Sequence, residues 1–136
     1  SIFDRIIEGG HSVGNHTIKH EHSSKVTSQA YLQSISDGEK TLSSTLFRPP
    51  YGRLSMGMEK KLKPSIKVIM WSWLSYDYDN KVSVDKIIAK AKTQIKEGDI
   101  LLFHDNEKAV YRIKEILPPI IEDLKRRNFV FKTISA

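Results

Sequence analysis

Cysteine is absent from this chain of 136 residues. No disulfide framework holds it, and thiols say nothing of its redox compartment. Long apolar runs are absent as well. None approaches the roughly 18 residues needed to cross a bilayer, so the sequence carries no transmembrane segment. Acidic residues are in deficit, 16 against 22 Lys and Arg, for a formal net charge of +6. The excess basic residues stand beside acids, as in Glu59-Lys60-Lys61 and Glu122-Asp123-Leu124-Lys125-Arg126-Arg127, which is how a solvated helix face reads. No recognition motif accompanies the charge, so no nucleic-acid partner is expected. A mild pull toward anionic cell-wall polymers remains.

Glycine and proline are few, at 7 and 5, and hydrophobic residues make up 39% of the chain. That composition is globular, and the length suffices to bury a single-domain interior. Helix and strand patterns alternate along it. Ser1 to Glu8 reads as the end of a helix stopped by Gly9-Gly10, and Ser12 to Ile18 as a short extended segment. Thr27 or Ser28 caps a helix to about Ser43, with Tyr31, Leu32, Ile35 and Leu42 as its buried stripe. Leu46-Phe47 is a short strand, Gly57 to Leu62 a brief helix, and Ile66 to Trp71 a strand covered on both faces. Val84, Ile87, Ile88, Ala91 and Ile95 fall at helical spacing, and Asp99 to Phe103 is again a strand. A last helix runs through Ile113, Ile116, Ile120 and Leu124, where Pro118-Pro119 must kink or restart it, and Phe129 to Ile134 closes as a strand. About five strands alternating with helices predict a parallel sheet with right-handed crossovers. No linker or repeat divides residues 1–136, which read as a single domain.

Four polar clusters follow the expected strands. His16 and His20 stand four apart in Asn15-His16-Thr17-Ile18-Lys19-His20; two imidazoles at that spacing can grip one divalent cation, although alone they could be surface histidines. Phe47-Arg48-Pro49-Pro50-Tyr51-Gly52 joins a cation to a rigid turn. Trp71-Ser72-Trp73-Leu74-Ser75-Tyr76-Asp77-Tyr78 is rich in aromatics, and Trp71 and Trp73 read most simply as core or groove-lining residues. Leu101-Leu102-Phe103-His104-Asp105 places a histidine at the end of an apolar strand. Loops after parallel strands build the active face of a barrel, so one shared catalytic face is expected.

Histidine pair, Arg-Pro-Pro-Tyr-Gly, aromatic-Asp and Leu-x-His, in that order, resemble the polysaccharide deacetylases of carbohydrate esterase family 4, from about Ile6 to about Ile134. The resemblance implies an α/β fold, a partial, distorted TIM-like barrel of mostly parallel strands alternating with helices, its first strands missing. At about 30 residues per strand–helix unit, the chain holds four or five units of such a barrel. By resemblance His16 and His20 are metal ligands, with Zn2+ as the expected metal and Asn15 and Thr17 orienting them. Arg48 would pair with the catalytic aspartate, and the Tyr51 N–H would help hold the oxyanion. Asp77 would hydrogen-bond the catalytic histidine, His104, which protonates the departing amine. Leu102 would touch the acetyl methyl, with Tyr78 and Trp71 as further substrate contacts. His11 and His22 read as polar loop residues.

The chain departs from the pattern in three places. Leu74 stands where the family often has an acid, Tyr78 replaces a frequent tryptophan, and no Thr-Phe-Asp-Asp-Gly segment supplies the catalytic base and third ligand. Truncation at the N-terminus is therefore expected, with open sheet edges that favour pairing with a missing segment or self-association. The implied function is metal-dependent removal of acetyl groups from N-acetylglucosamine-containing polysaccharide, peptidoglycan or chitin-like, at the cell envelope or outside the cell. The alternative is a non-catalytic carbohydrate-binding fragment or pseudoenzyme of the same fold.

Overall fold

The first helix, α1 (Ile2–Glu8), forms by capping and not by packing. The Ser1 hydroxyl accepts the Asp4 N–H at 3.2 Å, and every residue of the helix is exposed. Gly9 and Gly10 then end it, their N–H groups returning to Arg5 and Ile7 carbonyls. In the computed structural model, which describes residues 1–135, the chain divides into two compact units. The first is Ser1–Met70 with the last residues of the chain, and the second is Trp71–Phe131.

In the first unit, Thr27 caps α2 (Ser28–Leu42) through its hydroxyl to the Ala30 N–H. The face that α2 buries is Tyr31, Ser34, Ile35 and Gly38. This corrects the apolar stripe expected above: Leu32 and Leu42 are only half-buried, and a serine and a glycine take their place. Strand β1 (Leu46–Phe47) pairs in parallel with β2 (Lys67–Val68), and Asn15 bridges to Phe47. Tyr31, Ile35, Phe47 and Met58 form the core, the Tyr31 and Phe47 rings meeting edge-on at 6.5 Å. The strand expected over Ile66 to Trp71 shrinks to Lys67–Val68, both exposed. Among the described residues it pairs with β1 alone.

In the second unit, β3 (Trp73–Leu74) pairs in parallel with β4 (Leu101–Leu102), Trp73 opposite Leu101. Ser83 caps α3 (Val84–Gln94), and α4 (Val110–Arg126) follows. Ile87, Ala91 and Ile95 pack with Ile116, Ile120, Leu124 and Trp73 in one apolar cluster. Of the two outcomes expected at Pro118 and Pro119, a kink or a restart, the restart does not occur: α4 runs through both as one helix. Each proline forfeits a donor to the carbonyl four residues back, yet Ile116 and Ile120 on either side remain fully buried. The closing strand expected over Phe129 to Ile134 is not formed among the described residues. Phe129 packs on the core while Val130 and Phe131 are exposed.

Among the described residues, four two-residue strands in two parallel pairs thus replace the single sheet of about five expected from the sequence. Parallel strands alternating with helices are present as expected, without a closed barrel among the described residues. No described helix is long and apolar enough to cross a membrane.

Candidate active site

The first unit gathers His16, His20, Arg48 and Tyr51. Asn15 is hydrogen-bonded to β1 on both sides of its peptide, its N–H to Leu46 O and its carbonyl to the Arg48 N–H. That ladder brings His16 beside Arg48. His16 Nδ1 lies 2.6 Å from the Arg48 carbonyl, and since a carbonyl only accepts, the hydrogen sits on Nδ1 and the ring lone pair on Nε2. The His16 and His20 ring centroids are 4.8 Å apart, edge to face, and the His20 ring meets Tyr51 at 4.8 Å. Thr17, His20 and Tyr51 all have positive φ, 63°, 54° and 59°. For side chains larger than glycine, such backbone costs on the order of 1–3 kcal/mol per residue and clusters where geometry is functional.

The Arg48 guanidinium reaches Ile69 O from Nε at 3.0 Å and Met70 O from Nη2 at 3.3 Å. No carboxylate among the described residues pairs with it, and burial holds it below the ordinary arginine value. Two imidazoles, one with its hydrogen fixed on Nδ1 by a carbonyl, fit half of a zinc ligand set. Among the described residues no group of three His, Cys, Asp or Glu is arranged to hold a metal. His22 stacks on Tyr51 at 5.2 Å, and its Nδ1 is engaged by Ser24 at 2.9 Å, as befits a loop residue.

The second unit gathers Asp77, Tyr78 and His104. Asp77 lies three residues beyond the end of β3 and His104 two beyond the end of β4, so the parallel pairing brings them close. Asp77 is 0% exposed. Its Oδ1 meets His104 Nδ1 at 2.7 Å, and its Oδ2 accepts the His104 N–H at 2.6 Å. One buried carboxylate therefore fixes both the backbone and the ring of the histidine. A carboxylate on Nδ1 makes Nε2 the nitrogen available for proton transfer. The Tyr78 ring stands edge-on to His104 at 4.9 Å. Burial, then Tyr76, Asp79 and Asp77, push the Tyr78 phenol above its ordinary value. Leu102 is half-buried in β4, and its carbonyl accepts the Ser75 N–H. Trp71 is half-buried, and no hydrogen bond or ring contact ties it to this group among the described residues.

Three contributors escaped the sequence reading. The buried Ser75 hydroxyl accepts the Asp77 N–H at 3.2 Å. Ser34 and Gly38 of α2 abut the histidine loop. The available signal was Gly38 itself, because a glycine inside a helix costs about 1 kcal/mol relative to alanine and persists for a packing reason.

The sequence signature of the family described as polysaccharide deacetylase matches residues 1–64. A peptidoglycan-N-acetylglucosamine deacetylase of Bacillus cereus is 30% identical over 142 residues, covering 98% of this chain and 66% of the relative. Among solved structures, the Xyl-CE4 domain of a multidomain xylanase from the hindgut metagenome of Trinervitermes trinervoides superposes with a TM-score of 0.81. It is 25% identical and is matched over 98% of this chain and 66% of that one. A family 4 carbohydrate esterase from Streptomyces lividans in complex with acetate shares the fold, with a TM-score of 0.81 and 24% identity over 97% of this chain and 70% of that one. The chain belongs to the polysaccharide deacetylases, carbohydrate esterase family 4. It spans 66%, 23% and 51% of the lengths of the first curated relatives it matches.

Proposed function

We propose that the chain carries the histidine ligands and the general acid of a metal-dependent deacetylase acting on N-acetylglucosamine-containing polysaccharide, peptidoglycan or chitin-like. The reaction adds water to an acetamide and releases acetate and a glucosamine unit. His16 and His20 would hold a divalent cation, most simply Zn2+ given two imidazoles. Such a cation, when bound, polarises the acetamide carbonyl and lowers the pKa of a bound water.

The chain's own residues then divide the work. The Tyr51 N–H, on the strained turn after Pro49 and Pro50, donates to the oxyanion as the tetrahedral centre forms. Arg48 would orient the carboxylate that takes the proton from water. His104 gives its Nε2 proton to the departing amine, while Asp77 holds the ring and stabilises its charged form as the proton is carried. Leu102, Tyr78 and Trp71 line the acetyl and sugar contacts. A peptidoglycan substrate would place the activity at the cell envelope, in keeping with the name of the Bacillus cereus relative.

The observation that carries this reading is the fully buried Asp77 with both oxygens on His104. Acetate release from N-acetylglucosamine oligomers by the complete protein tests it. His104→Ala should lower turnover about 100-fold or more, and chelation should abolish it. Equal turnover before and after the substitution refutes the acid assignment. Acetate released only from O-acetylated xylan refutes the substrate class.

A further inference from the structure

The face that α2 turns toward the histidine loop is polar where an amphipathic helix would be apolar. Asn15 is 2% exposed. Its Nδ2 donates to Ile35 O at 2.6 Å and its Oδ1 accepts the Thr17 N–H at 2.9 Å. Ser34 Oγ accepts the Ile18 N–H at 2.9 Å and donates to Glu21 Oε2 at 3.1 Å. Glu21 Oε2 also accepts the Lys19 N–H at 3.2 Å, and the Glu21 N–H returns to Thr17 Oγ1 at 3.2 Å. The backbone N–H groups of residues 17, 18, 19 and 21 are thus all satisfied by side chains and not by helix or strand. This is how a loop with left-handed residues at Thr17 and His20 keeps one shape.

Gly38 makes the arrangement possible. A methyl at residue 38 would lie 2.3 Å from Asn15 Oδ1, 2.7 Å from Cγ and 2.8 Å from Nδ2. The colliding atoms end a side chain, but moving them breaks both Asn15 hydrogen bonds. The glycine is therefore required for space, within a helix whose backbone any residue could adopt.

We propose that Ser34, the Ile35 carbonyl and Gly38 form a positioning face that sets the relative geometry of His16 and His20, with Asn15 as the part it locks. The inference rests on the metal-binding reading of those histidines. Neither Ser34 nor Gly38 touches the metal or substrate in this scheme; they act through Asn15 and the loop amides.

The test compares Gly38→Ala, Asn15→Ala, the double variant and Ser34→Ala. The readouts are Zn2+ affinity by calorimetry, the imidazole nitrogen signals of His16 and His20 in metal-free protein, and the melting temperature. Gly38→Ala should weaken Zn2+ binding about 10- to 100-fold, the usual cost of losing an outer support of a metal ligand, and shift both ring signals. In the Asn15→Ala background the same change should cost no further affinity and should leave the melting temperature unchanged or higher, because alanine favours helix once the collision is gone. That disappearance of the affinity cost separates positioning from a general helix defect. Should Gly38→Ala fail to fold, Ser34→Ala, which adds no bulk, should weaken binding several-fold and move the His20 ring signal. Wild-type affinity and ring signals in Gly38→Ala and Ser34→Ala, alongside lost binding in His16→Ala, would overturn the positioning face and leave the metal reading intact. Undiminished binding in His16→Ala would overturn the metal reading itself, and the ring signals alone would then decide the positioning claim.

Discussion

The two units hold their histidines by opposite means. In Trp71–Phe131, His104 is half-buried at the end of a paired strand, and a single buried carboxylate grips its ring and its backbone. In Ser1–Met70, His16 and His20 are exposed on a loop whose shape comes from Asn15, Ser34, Thr17 and Glu21 satisfying one amide after another. A proton donor needs one nitrogen aimed and the other occupied, which one acceptor achieves. Ligands for a cation need two rings held at a fixed separation, which takes a network. The cores differ in the same sense. The second unit is packed with aliphatic side chains from α3 and α4, whereas the first buries Tyr31 with a hydroxyl that finds no partner among the described residues.

The largest effect that would sharpen this contrast is expected at Asp77. Asp77→Asn keeps the volume but turns one acceptor into a donor facing His104. Deacetylation by the complete protein should fall about 100-fold or more, and denaturant unfolding should show a loss of about 1–3 kcal/mol from the mismatched buried pair. Unchanged turnover would mean that His104 does not depend on a single anchor, and the contrast would fail.

The smallest effect is expected at Tyr31. Burial, with Glu21 adding to it, pushes the phenol up to about 12 from 10.0. The folded value lies above the unfolded one, so the stability contributed by the neutral phenol is fully present below about pH 10 and is lost as pH rises toward 12. Tyr31→Phe should therefore flatten the alkaline limb of a melting-temperature profile. At neutral pH it should change stability by less than about 1 kcal/mol, since no hydrogen bond is removed. A large destabilisation at pH 7 would reveal a bond to that hydroxyl.

Much of the candidate site was legible because its residues sit at the ends of apolar segments. Leu46-Phe47 announced β1 and hence Arg48, and Leu101-Leu102 announced β4 and hence His104. What could not be read depended on partners distant in the chain. Phe129 to Ile134 has the composition of a strand, yet a strand forms only where another offers a ladder. Ile66 to Trp71 looked buried on both faces for the same reason, while β3 at Trp73–Leu74 hid in a cluster whose tryptophans read as core or groove-lining aromatics. Two consecutive prolines argued for a kink or a restart in α4, and the packing of Ile116 and Ile120 outweighed the restart. The polar face of α2 was invisible to a hydrophobic pattern because its role is to support a loop from Asn15 to Glu21, 13 or more residues upstream of Ser34.

The pairing of His16 with His20 as ligands of one cation is tested most directly by imidazole nitrogen spectra recorded during a Zn2+ titration. The rings of His16 and His20 should shift together and saturate at the same metal concentration, with His11 unmoved. Saturation that leaves either of the two rings unchanged, or that moves His11 in their place, would contradict the assignment.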